Sequence, residues 1–294
     1  MKRLKKKNLH SLLAFINCHW KENHIFVKNS GVFNYLYLQD QGKYNFFIKE
    51  WKRKIVAIIG VIEASEEAIW LTTWRSIGIQ NQGVELFNEV LDKYATSFIG
   101  SIGINKRVEK FYKIIDWKVI SLNHYYLEKT NYKTEATLKY IFTKSPRVDQ
   151  LYDDKYSPRK NDDYLIKRYI LNPHFDYYFL IIEDIKLVFV GRIVEYLNKK
   201  VFHCVDFFGE IDKKNIRAIL QDFLHNNSFD LFEMMCYCSD SPSIDLELKD
   251  DSTIIPTYFS PFIFENINIT CAYKADIDKS VKIVLGDSDQ DRPN

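Results

Sequence analysis

The sequence has 294 residues, enough for one large domain or two modest ones, and its 41 Lys and Arg against 39 Asp and Glu leave a formal charge of +2. This near balance argues against a nucleic-acid-binding protein, because such proteins carry an excess of positive charge. Aromatic residues make up 15% of the chain, with only 10 glycines and 7 prolines, which argues against disorder, collagen-like repeats and loop-rich disulfide scaffolds.

The N-terminus is basic, but the apolar stretch that follows it, residues 12–16, is too short for a signal peptide or a membrane span. We therefore expect a cytoplasmic protein without a membrane span. The cysteines are odd in number and match no zinc spacing, so we expect reduced core thiols and no metal site. They are Cys18, Cys204, Cys236, Cys238 and Cys271.

The first half of the chain opens with two apolar runs around a polar turn, which predict a β-hairpin. In chain order, the strands predicted for this half are residues 44–48, 55–62, 68–74, 98–104 and 117–127. A helix is predicted between the third and fourth strands, where apolar residues recur at three- and four-residue steps. These residues are Val84, Phe87, Val90 and Leu91.

The same order of elements recurs in the second half, with Phe202 about 132 residues after its counterpart Trp70. The strands predicted there are residues 177–182, 186–194, 200–208 and 231–238. A compositional coincidence is the alternative, because sequences rich in Ile, Lys and Asn produce strand-like runs. We interpret the pattern as an internal duplication, which predicts an α+β fold of two tandem domains, each a mostly antiparallel mixed sheet flanked by helices. Their predicted extents are residues 1–144 and 164–294, joined by a linker at 145–163.

Residues 80–85, before the first predicted helix, read Gln-Asn-Gln-Gly-Val-Glu. They resemble the Gln/Arg-x-x-Gly-x-Gly/Ala loop of the GNAT superfamily of acyl-CoA-dependent N-acyltransferases. In that family, backbone N–H groups and a helix N-terminus face the pyrophosphate of coenzyme A. Glu85 departs from the pattern, and its carboxylate would repel a nearby phosphate. The resemblance implies acetyl-CoA or another acyl-CoA as co-substrate, bound by Thr73, Trp74, Gly78, Gln80, Asn81, Gln82, Gly83, Val84 and Asn105.

Residues 105–117 resemble the next motif of the superfamily, Asn-x-x-Ala-x-x-Leu/Phe-Tyr-x-x-x-Gly-Phe. The matching residues are Asn105, Phe111, Tyr112 and the aromatic Trp117, while Val108 and Asp116 depart from the motif. The resemblance implies direct attack of an amine on the thioester, with Tyr112 protonating the leaving thiolate. The alternative is that Tyr112 is a core aromatic residue of an amphipathic helix.

The second half departs further from the superfamily. Residues 208–212 are acidic at the position of the phosphate loop, and no Asn…Tyr helix follows the strand that ends near Cys238. We therefore expect the second copy not to hold coenzyme A in the usual manner. Tandem members of the superfamily, including the mycothiol-synthase and Fem-type groups, commonly keep one active copy and bind the acceptor between the two.

Two segments are candidates for acceptor binding. Residues 19–24 contain His19, Trp20 and His24, and the resemblance places them in a loop that often covers the acceptor site. A surface pair of histidines is the alternative, and their five-residue spacing does not suit a helical metal site. Residues 253–262 have two prolines around aromatic residues and predict an aromatic loop near a cleft, with Tyr258 as a candidate contact for a sugar ring.

Asp206 lies near the end of an apolar strand and is predicted to be buried, which makes it a candidate catalytic base. The structural alternative is that it only bonds Arg192 or backbone amides, and Arg192 is a further candidate for substrate binding. His203 is three residues away and would lie on the opposite face of an ideal strand, so we do not expect a dyad. The polar tail, residues 286–294, is expected to be disordered.

The acceptor segments and the tail make the chain similar to uncharacterised GNAT-like proteins of bacterial surface-polysaccharide gene clusters. The sequence thus predicts an acyl-CoA-dependent N-acyltransferase whose partner is a small-molecule amino sugar, expected to be nucleotide-linked, and not a nucleic acid. Two alternatives remain open. One is a Fem-like aminoacyl transferase, which the near-neutral charge disfavours, and the other is a catalytically inactive GNAT pair that binds a glycan or a protein partner.

Overall fold

The computed structural model describes residues 1–39, 42–78, 81–94, 96–131, 138–151, 153, 155–196, 198–211, 215–240, 242–250, 252–255, 267–276 and 279–290. Two of the predicted site residues, Gln80 and Tyr258, lie outside the described residues. Within the described part, none of the helices combines the length and the hydrophobicity needed to cross a membrane.

The helices are α1 (Leu9–His19), α2 (Ile25–Lys28), α3 (Ser30–Tyr37), α4 (Gln82–Lys93), α5 (Lys106–Ile114), α6 (Asp162–Leu165) and α7 (Ile216–Asn226). Short 3-10 turns lie at Lys6–Asn8, Val148–Gln150 and Glu183–Ile185, and a π-helical turn follows α6 at Ile166–Ile170. The strands are β1 (Lys2–Lys5), β2 (Lys43–Trp51), β3 (Lys54–Ser65), β4 (Ala68–Ser76), β5 (Phe98–Ile102), β6 (Lys118–Ser121), β7 (Asn123–Glu128), β8 (Ile141–Thr143), β9 (Tyr156–Ser157), β10 (Tyr178–Ile182), β11 (Leu187–Tyr196), β12 (Lys199–Phe208), β13 (Leu231–Cys238), β14 (Glu247–Leu248), β15 (Thr270–Ala275) and β16 (Ser280–Val284).

The first sheet has the strand order β1-β2-β3-β4-β5-β15-β6. Its neighbours pair antiparallel except β4 and β5, which run parallel because α4 crosses between them. Successive residues of β2 point to opposite faces: Phe46 packs with α1–α3, and Phe47 packs with α4 and α5. Helices therefore cover both faces of this sheet.

The second sheet has the order β14-β7-β13-β12-β11-β10-β8, with β16 pairing with β13 and β9 pairing with β16. It repeats the arrangement of the first sheet. The series β10-β11-β12-α7-β13 corresponds in order to β2-β3-β4-α4-β5, and the last two strands of each series pair in parallel. The predicted mixed α+β architecture of two helix-flanked sheets is confirmed. One face of each sheet packs into a shared apolar core that contains Phe33 and Trp70 from the first half and Val190 and Val205 from the second.

The two halves exchange strands. β7, from the first half, lies in the second sheet between β13 and β14, and β15, from the end of the chain, lies in the first sheet between β5 and β6. The single strand predicted at 117–127 is therefore wrong. It is two strands that part at Leu122, whose N–H donates to the carbonyl of Ile269. Strands β7, β8 and β15 cross the predicted domain boundaries, so the sheets do not divide at the linker.

Candidate functional site

A cleft opens in the first sheet where β4 and β5 separate. The two strands pair only from Ala68 and Phe98 to Trp70 and Gly100, although β4 continues to Ser76. Gly100 allows this close pairing, since a Cβ there would lie 2.3 Å from the Trp70 ring. Beyond it the strands diverge toward their carboxyl ends, the edge at which sheets with parallel strands bind ligands.

A β-bulge at Thr73 lies at the start of the cleft. Gly60 of β3 pairs with Thr72 and Ile58 pairs with Arg75, so β4 carries one extra residue, and Thr73 has a φ of 47°. Such a residue leaves backbone groups outside the ladder, where a ligand can use them. The Thr73 side chain is 7% exposed, and its hydroxyl has no hydrogen-bond partner among the described residues.

A cavity of about 560 Å³ continues the cleft. Its walls are the end of β4 and the first turns of α4 and α5, formed by Trp74, Arg75, Ser76, Gly78, Asn81, Gly83, Val84, Asn105, Arg107, Val108 and Phe111. The N-terminus of a helix presents unbonded N–H groups and a positive dipole end. The positive dipole ends of two helices at one cavity favour an anionic ligand, and the first N–H groups of α4 have no side-chain cap.

The start of α4 is fitted closely against β4. Asn81 adopts the left-handed conformation, with a φ of 66°, which Asn tolerates better than most residues. A Cβ at Gly83 would lie 2.6 Å from the Ser76 hydroxyl, so only glycine allows this approach. The Trp74 indole donates to the Gly83 carbonyl at 3.1 Å and fixes the two elements together.

Glu85, the departure from the superfamily loop, does not line this cavity. Its carboxylate lies 2.5 Å from the Lys49 ammonium on β2 and accepts a hydrogen bond from the Gln82 side chain at 3.0 Å. The charge expected to repel a phosphate is therefore paired on the flank of α4.

Asn105 lies in the cavity wall, but its side-chain oxygen caps α5 by accepting from the N–H groups of Arg107 and Val108 at 3.0 and 3.1 Å. Arg75 and Arg107 are exposed residues of the wall that the sequence interpretation did not single out. Arg107 lies within the second motif and Arg75 lies five residues before the first, and their positive charge there was the available signal.

Tyr112 lies behind the cavity and is fully buried in the apolar core of α4 and α5. Its ring packs against Trp117 at 4.7 Å and faces Trp74 at 6.2 Å between ring centroids. Burial raises the pKa of Tyr112, and a hydrogen bond with Ser101 opposes this only in part. Ser101 is the first residue of β5 beyond the paired segment, so the hydroxyl lies near the parting of the strands. Its role as a proton donor stays a prediction.

The corresponding cleft of the second half is filled by the chain itself. β12 and β13 pair as far as Cys204 and Met234 and then separate, and β12 also has a bulge at this point. β16 pairs with β13 beyond the separation, and the N–H of Gly286 donates to the carbonyl of Val205 at 2.7 Å. This filling gives a physical reason for the expectation that the second copy does not hold coenzyme A in the usual manner.

Asp206 belongs to a buried ionic cluster and not to the cavity. It is fully buried, and its carboxylate accepts hydrogen bonds from Lys160 at 2.5 Å, Tyr169 at 2.8 Å and the N–H of Phe207 at 2.8 Å. Lys160 also pairs with Asp287 at 2.9 Å. These bonds favour the structural alternative over the role of a catalytic base. The side chains bonded to Asp206 are those of Lys160 and Tyr169. The Arg192 guanidinium lies 4.7 Å from the centroid of the Phe175 ring.

The predicted acceptor residues of the first segment do not line the cavity. His24 is buried and caps α2, where its Nδ1 accepts from the N–H of Phe26 at 3.2 Å. His19 and Trp20 are exposed at the end of α1. Burial of His24 contradicts the alternative of a surface histidine pair, because its ring packs 4.6 Å from Phe26 within the core.

A buried His–Glu–His cluster, which sequence interpretation missed, joins three strands of the second sheet. Glu233 of β13 bonds His203 of β12, and it also bonds His124 of β7 at 2.6 Å. Burial would raise the pKa of Glu233, but the two histidines outweigh it and lower the pKa to about 2. These residues are distant in sequence, so no local pattern could have shown their contact.

The fold is that of the GNAT acyltransferases. A GCN5-related N-acetyltransferase from Anabaena variabilis matches with a TM-score of 0.60 and 10% identity over 92% of this chain and 72% of that one. One from Kribbella flavida matches with a TM-score of 0.59 and 7% identity over 92% and 69%. A protein of Pyrococcus horikoshii matches with a TM-score of 0.57 and 9% identity over 97% and 94%. At these identities the likeness shows the fold alone.

No protein-family model and no curated protein sequence matches this chain. The structural likeness extends across both halves, so the tandem arrangement is part of what the chain shares with these proteins.

Proposed function

We propose that the chain is an acyl-CoA-dependent N-acyltransferase with its acyl-CoA site in the cleft between β4 and β5. The observation that carries this proposal is the combination, in one place, of separated parallel strands, a bulge at Thr73 and a cavity bounded by two helix N-termini. The N–H groups at the start of α4 would bind the pyrophosphate, and Arg75 and Arg107 would balance the phosphate charge. The GNAT fold supports the same assignment.

The chemistry requires little beyond orientation and charge stabilisation. The lone pair of the amine forms a bond to the thioester carbon, the C–S bond breaks, the amine loses a proton and the thiolate gains one. Backbone N–H groups freed by the bulge would stabilise the oxyanion of the intermediate. Tyr112, kept protonated by its raised pKa, would donate to the thiolate.

For the acceptor we propose an amino sugar, nucleotide-linked and used for a surface polysaccharide. The support is the sequence resemblance and the aromatic segment around Tyr258, which lies outside the described residues. The proposed roles of His19, Trp20 and Arg192 in binding it stay predictions. A Fem-like transferase and an inactive module are the alternatives, and the latter would bind no thioester.

The test is calorimetric titration of acetyl-CoA into the wild-type protein and the Val84→Glu variant. Val84 is an exposed residue of the cavity wall in the first turn of α4, where a carboxylate suits the helix dipole and so spares the fold. The same carboxylate would repel phosphates, and we expect affinity to fall at least about tenfold, the equivalent of about 1.4 kcal/mol.

Asn88→Glu is the matched control, since Asn88 is exposed on α4 but does not line the cavity. It should bind acetyl-CoA as the wild type does. Wild-type protein that binds no acetyl-CoA, or equal affinity in Val84→Glu, would contradict the proposed site.

A further inference from the structure

The last described residues of the chain run between the two halves and are buried, so the predicted disorder of the tail is wrong for residues 286–290. Asp287, Ser288 and Asp289 are 0%, 0% and 1% exposed. The preceding strand, β16, and Gly286 are fixed in the filled cleft of the second sheet. At the other end, Gln290 packs closely on Gly103, which lies just after β5. A Cβ at Gly103 would lie 2.6 Å from the side-chain oxygen of Gln290.

A chain of hydroxyl groups connects this segment with the bulge of the first half. The Tyr37 hydroxyl donates to a carboxylate oxygen of Asp289 at 3.3 Å, and the Tyr37 and Thr72 hydroxyls lie 2.7 Å apart. With Tyr37 donating to Asp289, Thr72 donates to Tyr37. Thr72 directly precedes the bulge residue Thr73, and all three hydrogen-bonded side chains are buried.

This hydroxyl chain lies on the opposite face of the sheet from the cavity. Tyr37 and Trp70 pack in the core of α1–α3, whereas Leu71 packs in the core of α4 and α5 and the Trp74 ring stacks on Phe87 of α4. The alternation of β4 places Thr72 on the side of Trp70. An acyl group that reaches the bulge from the cavity would therefore have the hydroxyl chain on its far side.

We propose that Asp289 is the final proton acceptor of the acyl transfer. It is a positioning residue, because it acts on the substrate only through Tyr37 and Thr72. This inference rests on the proposed function. As the amine nitrogen bonds to the thioester carbon, its proton passes to the Thr72 oxygen. The Thr72 proton moves to Tyr37, and the Tyr37 proton moves to the Asp289 carboxylate. The amine loses one proton, Asp289 gains one, and the thiolate leaves with its electron pair.

In this arrangement the second half holds the C-terminal segment in the position that the reaction requires. Among the described residues, the titratable and charged groups around the segment include Tyr37 of α3, Cys271 of β15 and the cluster of Lys160, Asp287 and Asp206. Of the three buried carboxylates Asp206, Asp287 and Asp289, Asp289 is the one that the hydroxyl chain joins to the bulge, and Asp206 and Asp287 pair with Lys160.

The test measures thiol release from acetyl-CoA across pH, with glucosamine and with water as nucleophiles, in the wild type, Asp289→Asn, Asp289→Glu and Tyr37→Phe. We expect Asp289→Asn and Tyr37→Phe to lower kcat at least about tenfold while KM for acetyl-CoA is unchanged. In Asp289→Asn the fall in the rate of thiol release at low pH should also disappear. Asp289→Glu should partly restore both the rate and this fall. Asp176→Asn, an exposed carboxylate, is the control and should behave as the wild type.

Each other outcome is decisive. A wild type that binds no acetyl-CoA contradicts the proposed function itself. A wild type that binds it but releases no thiol in the presence of glucosamine contradicts the inference, which requires proton transfer from that amine. An unchanged pH profile in Asp289→Asn, or a loss of acetyl-CoA binding in that variant, overturns the inference in favour of a structural role.

Discussion

Tyr112 shows how one residue can satisfy a motif and a core at the same time. Its position in the helix after Asn105 matches the superfamily pattern, and its ring lies among Trp74, Phe87 and Trp117. The hydroxyl is the distinguishing group, because a core aromatic residue has no need of one. Its hydrogen bond with Ser101 holds it near the parting of β4 and β5.

Replacing Tyr112 with Phe removes this hydroxyl and leaves the ring. We expect kcat for thiol release to fall about 100-fold, because the leaving thiolate loses its proton donor, with acetyl-CoA affinity unchanged. The free energy of unfolding should fall by only about 1 kcal/mol for the lost hydrogen bond. Steady-state kinetics and urea unfolding measure the two effects.

Tyr178→Phe is the control, a half-buried tyrosine at the start of β10. It should leave turnover unchanged. Full activity in Tyr112→Phe would show that Tyr112 is only a core residue.

At the residue scale, local motifs located the cavity but not the groups around it. The structure brings to one wall six residues that the family resemblance singled out, which are Trp74, Gly78, Asn81, Gly83, Val84 and Asn105. The roles of Asp206 and Glu85 depend on partners far along the chain, Lys160 and Lys49, which no short pattern contains.

At the scale of elements, the predicted strands and helices mostly form where hydrophobic periodicity placed them, since this periodicity reflects which face is buried. The break between β6 and β7 is the exception. Residues 120–123 alternate between apolar and polar across Leu122, so the pattern does not show that the chain leaves one sheet for the other there.

The His124–Glu233–His203 cluster fixes the exchanged strand β7 in the second sheet. Glu233→Gln should lower the free energy of unfolding by about 3 kcal/mol at pH 7, because it leaves two buried histidines without their carboxylate. The pKa of Glu233 in the folded protein, about 2, is below its unfolded value of about 4.3, so its contribution is complete above pH 4.3 and is lost as pH falls toward 2.

Urea unfolding of the wild type and Glu233→Gln at pH 7 and at pH 3 measures this dependence, and the difference between them should shrink at pH 3. Glu128→Gln, at the exposed end of β7, is the control and should be neutral. Equal stability of Glu233→Gln and the wild type at pH 7 would contradict the claim that the cluster fixes β7 in the second sheet.

At the scale of the whole molecule, two halves with the same order of elements have clefts with different contents. The tandem order was predictable because the second half repeats the hydrophobic pattern of the first. The exchange of β7 and β15 was not predictable, because it depends on contacts between distant segments. In the first half the cleft leads to a cavity of about 560 Å³. In the second half β16 and Gly286 occupy the cleft and bond both of its strands.

This asymmetry makes the number of acyl-CoA sites the most direct test of the account. Calorimetric titration of the full chain with acetyl-CoA should give one site per chain, and Val84→Glu should weaken that site. Two equivalent sites would show that the cleft of the second half can open, and no binding would contradict the assignment of an acyltransferase.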